Sequence, residues 1–190
     1  MKVLKLRNEA VAIAAKSKAD DFKSTQTTVA YDSKGSVLLT MRASKDMYYV
    51  TYSEIPQVIK DAFVVTEDKK FYSHKGIDYF SILRAIIANQ KSDEIEQGAS
   101  TITQQLAKQL YSPESDGLMD RFIQKPVEWA IAVKLERYYT KEEIIKMYLN
   151  QFDFLNNAVG IKTAAHVYFN TTPDSLKIEQ AAMLVGMAKN

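Results

Sequence analysis

Apolar residues recur at helical spacing along most of this chain, and that periodicity constrains the fold more than any other feature. Ile55, Val58, Ile59, Ala62, Phe63 and Thr66 stand at i, i+3, i+4, i+7, i+8 and i+11, one face of an amphipathic helix. Similar patterns continue after Asp78 (Ile82, Leu83, Ile86, Ile87), from Ser100 to Tyr111, and over roughly 120–139. Thr140-Lys141-Glu142-Glu143 is a capping box that starts another helix. Shorter helical patterns close the chain near 159–168 and 176–188, with Pro173 between them. Only six Gly and four Pro occur in 190 residues, too few breakers for a loop-rich or all-β chain.

The expected fold is therefore mainly α. One β feature stands apart. Val29-Ala30-Tyr31 and Val37-Leu38-Leu39-Thr40 flank Asp32-Ser33-Lys34-Gly35, a hairpin signal in which Gly35 can take positive φ. Residues 48–52 are a further strand candidate, and Ser53 and Asp78 are the expected caps of the helices that follow them. Residues 91–97, 112–117 and 151–157 read as loops. Residues 1–27 form a charged, Ala-rich helical segment over 2–22 and a linker, ahead of one domain over 28–190.

Charge and cysteine usage remove several function classes. Lys plus Arg is 25 against 23 acidic residues, a net of +2, so the basic bias of a nucleic-acid binder is missing. With no Cys there is no disulfide framework, no cysteine nucleophile and no thiolate metal site. No apolar run approaches the ~18 residues of a membrane-spanning helix. The final residues, Met183 to Asn190, stop within a helical pattern, so the sequence is expected to be cut from a longer protein.

Three clusters could carry chemistry. In the first, Glu67-Asp68-Lys69-Lys70-Phe71-Tyr72-Ser73-His74-Lys75-Gly76, Glu67 falls at the edge of the helical face set by Ile55, Ile59 and Ala62. A carboxylate there loses part of its hydration, which suits a proton acceptor or donor near neutral pH. The same residues also read as polar punctuation at a helix end, and a lone His74 as a packed or capping residue. The second cluster runs from Gly98 to Lys108. Thr101, Gln104, Gln105 and Lys108 are expected on one wet face, beside a helix N-terminus that suits a phosphate or sugar hydroxyls. The third is Arg121, Gln124, Lys125 and Glu128 on the long helix, with Ala132 leaving room beside the carboxylate. Trp129, Val133, Ile123, Val127, Ala130 and Leu135 are the expected core of that helix, and Lys125–Glu128 reads equally as an exposed ion pair. Two carboxylates on different helices fit glycosyl chemistry, in which they flank an oxocarbenium-like transition state.

Taken in order, these clusters resemble the motifs of glycosyltransferase family 51, the peptidoglycan polymerase module of class A penicillin-binding proteins and monofunctional transglycosylases. The first motif, Glu-Asp-x-x-Phe-x-x-His-x-Gly, is matched by Glu67, Asp68, Phe71, His74 and Gly76. The second, Gly-x-Ser-Thr-Ile-Thr-Gln-Gln, is matched by Gly98 and Ser100 to Gln105 (Ser100, Thr101, Ile102, Thr103, Gln104, Gln105), with Lys108 following. The third, Arg-Lys-x-x-Glu, is matched by Lys125 and Glu128, with Gln124 in place of Arg. The fourth, Lys-x-x-Ile-Leu-x-x-Tyr-Leu-Asn, is matched by Lys141, Ile144, Tyr148, Leu149 and Asn150, with Ile145 for Leu. The resemblance covers about residues 28–190.

The resemblance implies a lysozyme-like helical domain with a small N-terminal β-hairpin and a lobe that touches the bilayer. It implies lipid II and the growing glycan strand as substrates, with undecaprenyl pyrophosphate released and β-1,4 linkages formed by inversion. Glu67 would be the general base and Glu128 the second essential carboxylate. Asp68, Phe71, His74, Ser100, Thr101, Thr103, Gln104, Gln105, Lys108, Lys125 and Asn150 would contact substrate, Lys108 and Lys125 at phosphates. No cofactor is required by the sequence; a divalent cation (Mg or Mn) assists some members of the family, although no metal cage is visible. The implied parent carries a transpeptidase domain and an N-terminal transmembrane anchor, and works at the extracytoplasmic, periplasmic face of the membrane, where moenomycin-type compounds act. The family's fifth motif, Arg-Arg-x-x-Val-Leu, is absent, as is any Ser-x-x-Lys or Lys-Thr-Gly transpeptidase signature. The alternatives are a lysozyme-like glycan-cleaving enzyme and an inactive domain that only binds lipid II or partners. Apolar residues of 79–88, with Leu118, Met119 and Phe122, are expected either to dip into the lipid interface or to pack in the core.

Overall fold

The computed structural model describes residues 8, 11–12, 15–16, 18, 28–41, 46–89, 99–111 and 118–188. The expected loops at 91–97 and 112–117, together with Gly98, lie outside the described residues, as does most of the expected helix over 2–22. Nothing is described of the side chains of Leu118, Met119, Arg121, Phe122 and Ile123.

Seven α-helices dominate the described residues, in a mainly α architecture consistent with the expected lysozyme-like domain. They are α1 (Gln57–Glu67), α2 (Tyr79–Asn89), α3 (Ile102–Tyr111), α4 (Leu118–Tyr138), α5 (Lys141–Gln151), α6 (Ile161–Phe169) and α7 (Ile178–Met187). The strands are short: β1 (Thr28–Tyr31), β2 (Val37–Met41), β3 (Asp46–Met47) and β4 (Ala158–Val159). The chain divides into two compact units. One comprises residues 1–17 and 63–148, the other 18–62 and 149–190, so the divisions fall inside α1 and α5.

In the unit of residues 18–62 and 149–190, the hairpin forms where the turn chemistry places it. β1 and β2 are antiparallel, with Thr28 opposite Met41 and a register shift at Ala30/Tyr31. Asp32 Oδ1 accepts from the Lys34 and Ser36 N–H groups, and Gly35 takes φ +81°. The expected strand at 48–52 does not form. β3 is only Asp46–Met47, parallel to β4. Beyond it, side chains replace a strand partner. The buried Asn150 amide accepts from Val50 N–H (2.8 Å) and donates to Val50 C=O (2.9 Å), and Thr163 Oγ1 accepts from Tyr48 N–H (3.3 Å). Ser53 does not cap α1. It sits in a 3-10 turn, Tyr52–Glu54, and α1 starts at Gln57, because Pro56 disfavours helical geometry at Ile55 and resets the start. The irregular stretch after α5 contains three consecutive left-handed residues, Leu155, Asn156 and Asn157. Tyr168 holds it by donating to Phe154 C=O (2.6 Å) and accepting from Asn156 Nδ2 (3.1 Å).

In the unit of residues 1–17 and 63–148, the core gathers Phe63, Phe71, Ile102, Leu106, Ile131, Leu135, Ile144 and Tyr148, with Phe63 and Tyr148 edge to face at 6.0 Å. The most extensive helix pairing is α3 against α4. It shifts the expected core face of α4: Leu135 is buried as expected, but the rest of the buried stripe is Glu128, Ile131 and Ala132, whereas Trp129, Ala130, Val133 and Val127 are half-buried. The helical period fixes which residues share a stripe, and the neighbour decides which stripe is inside. On α2 the expected apolar positions split. Leu83 and Ile87 are exposed, as are Tyr79 and Phe80, while Ile82 is half-buried and nothing is described of the Ile86 side chain. Both capping expectations hold at α2 and α5. Asp78 accepts from the Phe80 and Ser81 N–H groups, and Thr140 and Glu143 close a reciprocal box.

Asp78 carries a testable electrostatic consequence. Burial by itself would raise its carboxyl, but the Ser81 hydroxyl (2.5 Å), the Ser81 N–H and Lys70 (3.5 Å) outweigh that and hold it below its ordinary value. A depressed carboxyl stabilises the fold fully above its unfolded-state pKa, and the contribution disappears as pH falls through the lowered folded value. Asp78→Ala is expected to lower stability by about 1 kcal/mol at neutral pH. Thermal melts should show the gap between wild type and variant closing at acid pH.

Candidate active site

The turn that leaves α1 is built around a buried carboxylate. Asp68 Oδ2 accepts from Ile102 N–H (3.1 Å), the first residue of α3, and lies 2.8 Å from His74 Nε2. His74 Nδ1 accepts from Gly76 N–H (3.0 Å), so Nε2 carries the ring proton and donates to Asp68. A carboxylate on a helix N-terminus satisfies an orphan donor and opposes the positive end of the dipole. Thr101, the residue before α3, donates to Gly76 C=O (2.7 Å) and accepts from Gln104 N–H (3.1 Å), while Gln104 Oε1 accepts from Thr101 N–H (3.3 Å). This Thr101–Gln104 capping box is legible in Thr-x-x-Gln but escaped the reading of the sequence.

Asp68, Phe71, His74, Thr101, Thr103 and Gln104 thus serve the interior. All are buried except for His74, whose side chain is only 6% exposed. The expected wet face of α3 is half right. Gln105 is half-buried and Lys108 exposed, whereas Thr101 and Gln104 face inward because the capping box draws them there. Thr103 donates to Glu136 Oε1 (2.6 Å), which also accepts from Lys141 Nζ (2.6 Å). Lys141 lies over the Phe71 ring at 4.5 Å. Glu136 joins Thr103 of the second motif to Lys141 of the fourth, yet nothing in its local sequence marks it.

Glu67 ends α1 half-buried, at the margin of the core, as the periodicity places it. Its Oε2 accepts from Gln105 Nε2 (2.8 Å), and Gln105 Oε1 accepts from the Tyr148 hydroxyl (2.9 Å). Burial, and secondarily the Glu67 charge, push the Tyr148 phenol well above its ordinary value, so it stays protonated and donates. The sequence offered no signal for this second contact, since Tyr148 lies 43 residues from Gln105.

Glu128 is almost fully buried, not an exposed partner. Its Oε2 accepts from Lys125 Nζ (2.9 Å), whose side chain is 49% exposed. Lys125 Nζ also reaches Ser100 Oγ (3.3 Å), just before α3. The second and third clusters therefore meet at the α3 N-terminus: a buried carboxylate, a cation in contact with solvent, and a hydroxyl. Gln124 is half-buried on the same helix. Asn150 belongs to the other unit, where its side chain pairs with Val50. Among the described residues, no group of three or more His, Asp or Glu is placed to hold a metal ion.

Such a site offers a half-buried carboxylate on α1 with one oxygen held, and a cation on α4 held by a buried carboxylate. The model of the transglycosylase family matches residues 34–190. The chain belongs to the transglycosylase family. Within curated proteins, the chain is 39% identical over 165 residues to penicillin-binding protein 1A of Aquifex aeolicus (strain VF5), covering 86% of this chain and 22% of that protein. It is 40% identical over 169 residues to penicillin-binding protein 1A/1B of Bacillus subtilis (strain 168), covering 88% and 18%. It is 36% identical over 171 residues to penicillin-binding protein 4 of the same organism, covering 90% and 27%. The chain thus spans about a quarter or less of the length of these relatives. No helix among the described residues is long and apolar enough to cross a membrane.

Gly76 shows why the transglycosylase domain needs glycine at this turn. It takes φ +94°, and a Cβ there would stand 2.8 Å from the Ala132 carbonyl atoms and 2.9 Å from Val133 N. Backbone cannot yield as a flexible side chain can. Gly76→Ala is expected to cost at least about 2 kcal/mol. The midpoint of denaturant unfolding, followed by fluorescence of Trp129, the only tryptophan, measures it.

Proposed function

We propose that this domain polymerises lipid II into β-1,4 glycan strands and releases undecaprenyl pyrophosphate, as a peptidoglycan glycosyltransferase. The observation that carries the reading is the Glu67 carboxylate. It sits half-buried with Oε2 held by Gln105, and Oε1 has no hydrogen bond among the described residues. In the proposed reaction Glu67 takes the proton from the 4-hydroxyl of the acceptor GlcNAc as that oxygen attacks the anomeric carbon of the donor MurNAc. The new glycosidic bond forms as the bond to pyrophosphate breaks, with inversion, and the electron pair leaves on the phosphate oxygen. Developing negative charge on that leaving group calls for pre-positioned cations and donors. Lys125 and Ser100 provide them, and exposed Lys108 adds a further charge. Glu128 is buried and anchors the half-exposed Lys125 through an ion pair, and so fixes where that ammonium points.

The buried Asp68, Phe71, His74, Thr101, Thr103 and Gln104 then shape the site from behind. A divalent cation, where one takes part, would accompany the pyrophosphate oxygens. The exposed Tyr79, Phe80, Leu83 and Ile87 on α2 form an apolar stripe suited to the lipid interface where the polyprenyl tail resides. By the same reading the parent protein is held at the extracytoplasmic face of the cytoplasmic membrane and carries a transpeptidase domain.

Glu67→Gln is expected to abolish polymerisation of lipid II, with the melting temperature retained. Lys125→Ala should weaken retention of a moenomycin-type lipid-pyrophosphate mimic and lower turnover together. Gel analysis of glycan products and titration of the mimic measure the two effects. Normal polymerisation by Glu67→Gln refutes the base assignment. Silence of the wild type, with the mimic still bound, would leave a binding-only domain.

A further inference from the structure

Tyr148 is almost fully buried, yet its hydroxyl is directed at one of the few polar groups that touch Glu67. The three residues form a short chain: Tyr148 Oη to Gln105 Oε1 at 2.9 Å, then Gln105 Nε2 to Glu67 Oε2 at 2.8 Å. They come from α5, α3 and α1. An ionised carboxylate only accepts, so Gln105 must present its NH2 group to Glu67. Its carbonyl then faces Tyr148, which must donate. Within this unit, Tyr148 is also fixed by its edge-to-face contact with Phe63.

We propose that Tyr148 is a positioning residue for proton transfer, anchoring the Gln105 carbonyl so that the amide N–H stays on Glu67 Oε2 and Oε1 is the oxygen left to take the proton. The inference rests on the reading of Glu67 as the base. Gln105 is only half-buried, so without its anchor it can turn to solvent and pair with water. Glu67, on the last turn of α1, would then sample rotamers in which neither oxygen points at the acceptor. The hydrogen-bonded chain also polarises as a unit: each bond strengthens the next, which stiffens the arrangement beyond either pair alone. Small displacements at a reacting centre reduce rate far more than binding.

Tyr148→Phe removes the hydroxyl and keeps the ring, so the Phe63 contact and the fold should survive. The expected result is a loss of kcat for lipid II polymerisation of roughly tenfold or more with KM within about twofold, since the interaction acts on the transition state and not on substrate affinity. A purely structural role would lower the melting temperature without that split. A second measurement does not depend on turnover. In wild-type protein, NMR should show a strong nuclear Overhauser contact between a Gln105 side-chain amide proton and the Glu67 methylene protons, which Tyr148→Phe should weaken or erase. An unchanged kcat in folded Tyr148→Phe overturns the proposal, as does a retained Gln105–Glu67 contact. Should the variant fail to fold, a wild-type Tyr148 hydroxyl proton in fast exchange, without a contact to Gln105, overturns it equally. Glu67→Gln runs alongside. If that variant polymerises, or the wild type does not, the function reading fails and the NMR contact alone decides the positioning role.

Discussion

The carboxylate of Asp68 on the N-terminus of α3 is the contact around which the site is organised. It is buried, it receives the first N–H of the helix and the His74 ring proton, and it follows Glu67 in the chain. Removing one member of such a group leaves a buried charge or donor without a partner, a loss of several kcal/mol in buried pairs. Because Asp68 is fixed, the direction of α1's last turn is fixed, and with it Glu67. Because α3 is fixed, Gln105, four residues after Thr101, faces Glu67. The turn closes at Gly76, whose backbone lies against that of Ala132 and Val133 on α4. One carboxylate thus ties the end of α1 to the start of α3 and to His74 in the turn between.

The motif residues fall into an interior set and a set that reaches solvent. In the interior Asp68 pairs with His74 and Thr101 with Gln104, while Glu136 accepts from Thr103 and Lys141. Glu67, Gln105, Lys108 and Lys125 reach solvent. Glu128 joins the two sets: its carboxylate is buried while its partner Lys125 is half exposed. The pair is therefore more than the weak surface bridge that its i, i+3 spacing alone suggests. A buried anion holds an ammonium at a defined place in contact with solvent. Gln124 beside it is neutral, so Lys125 carries more of the fixed charge on this stretch of α4.

Much of the local structure was legible. Hairpin, caps at Asp78 and Thr140, and the positions of the main helices follow from turn residues and 3.6-residue periodicity, because those signals act within a few residues. The strand expected at 48–52 failed for a non-local reason: Asn150, about a hundred residues away, supplies the hydrogen bonds a neighbouring strand would have made. The buried face of α4 was misjudged for a similar reason. Its stripe of Glu128, Ile131, Ala132 and Leu135 contains a charge, and only the packing against α3 makes that stripe the interior.

The sequence by itself determined the family and the helical class, since residue type and order along the chain are all that those conclusions need. Tertiary structure decided which motif residues face solvent and which brace the interior, that Tyr148 meets Gln105, and that Glu136 joins Thr103 to Lys141. Hydrogen bonds between residues tens of positions apart depend on chain paths that no local periodicity encodes. Burial of a carboxylate or an amide is likewise a property of its neighbours in space.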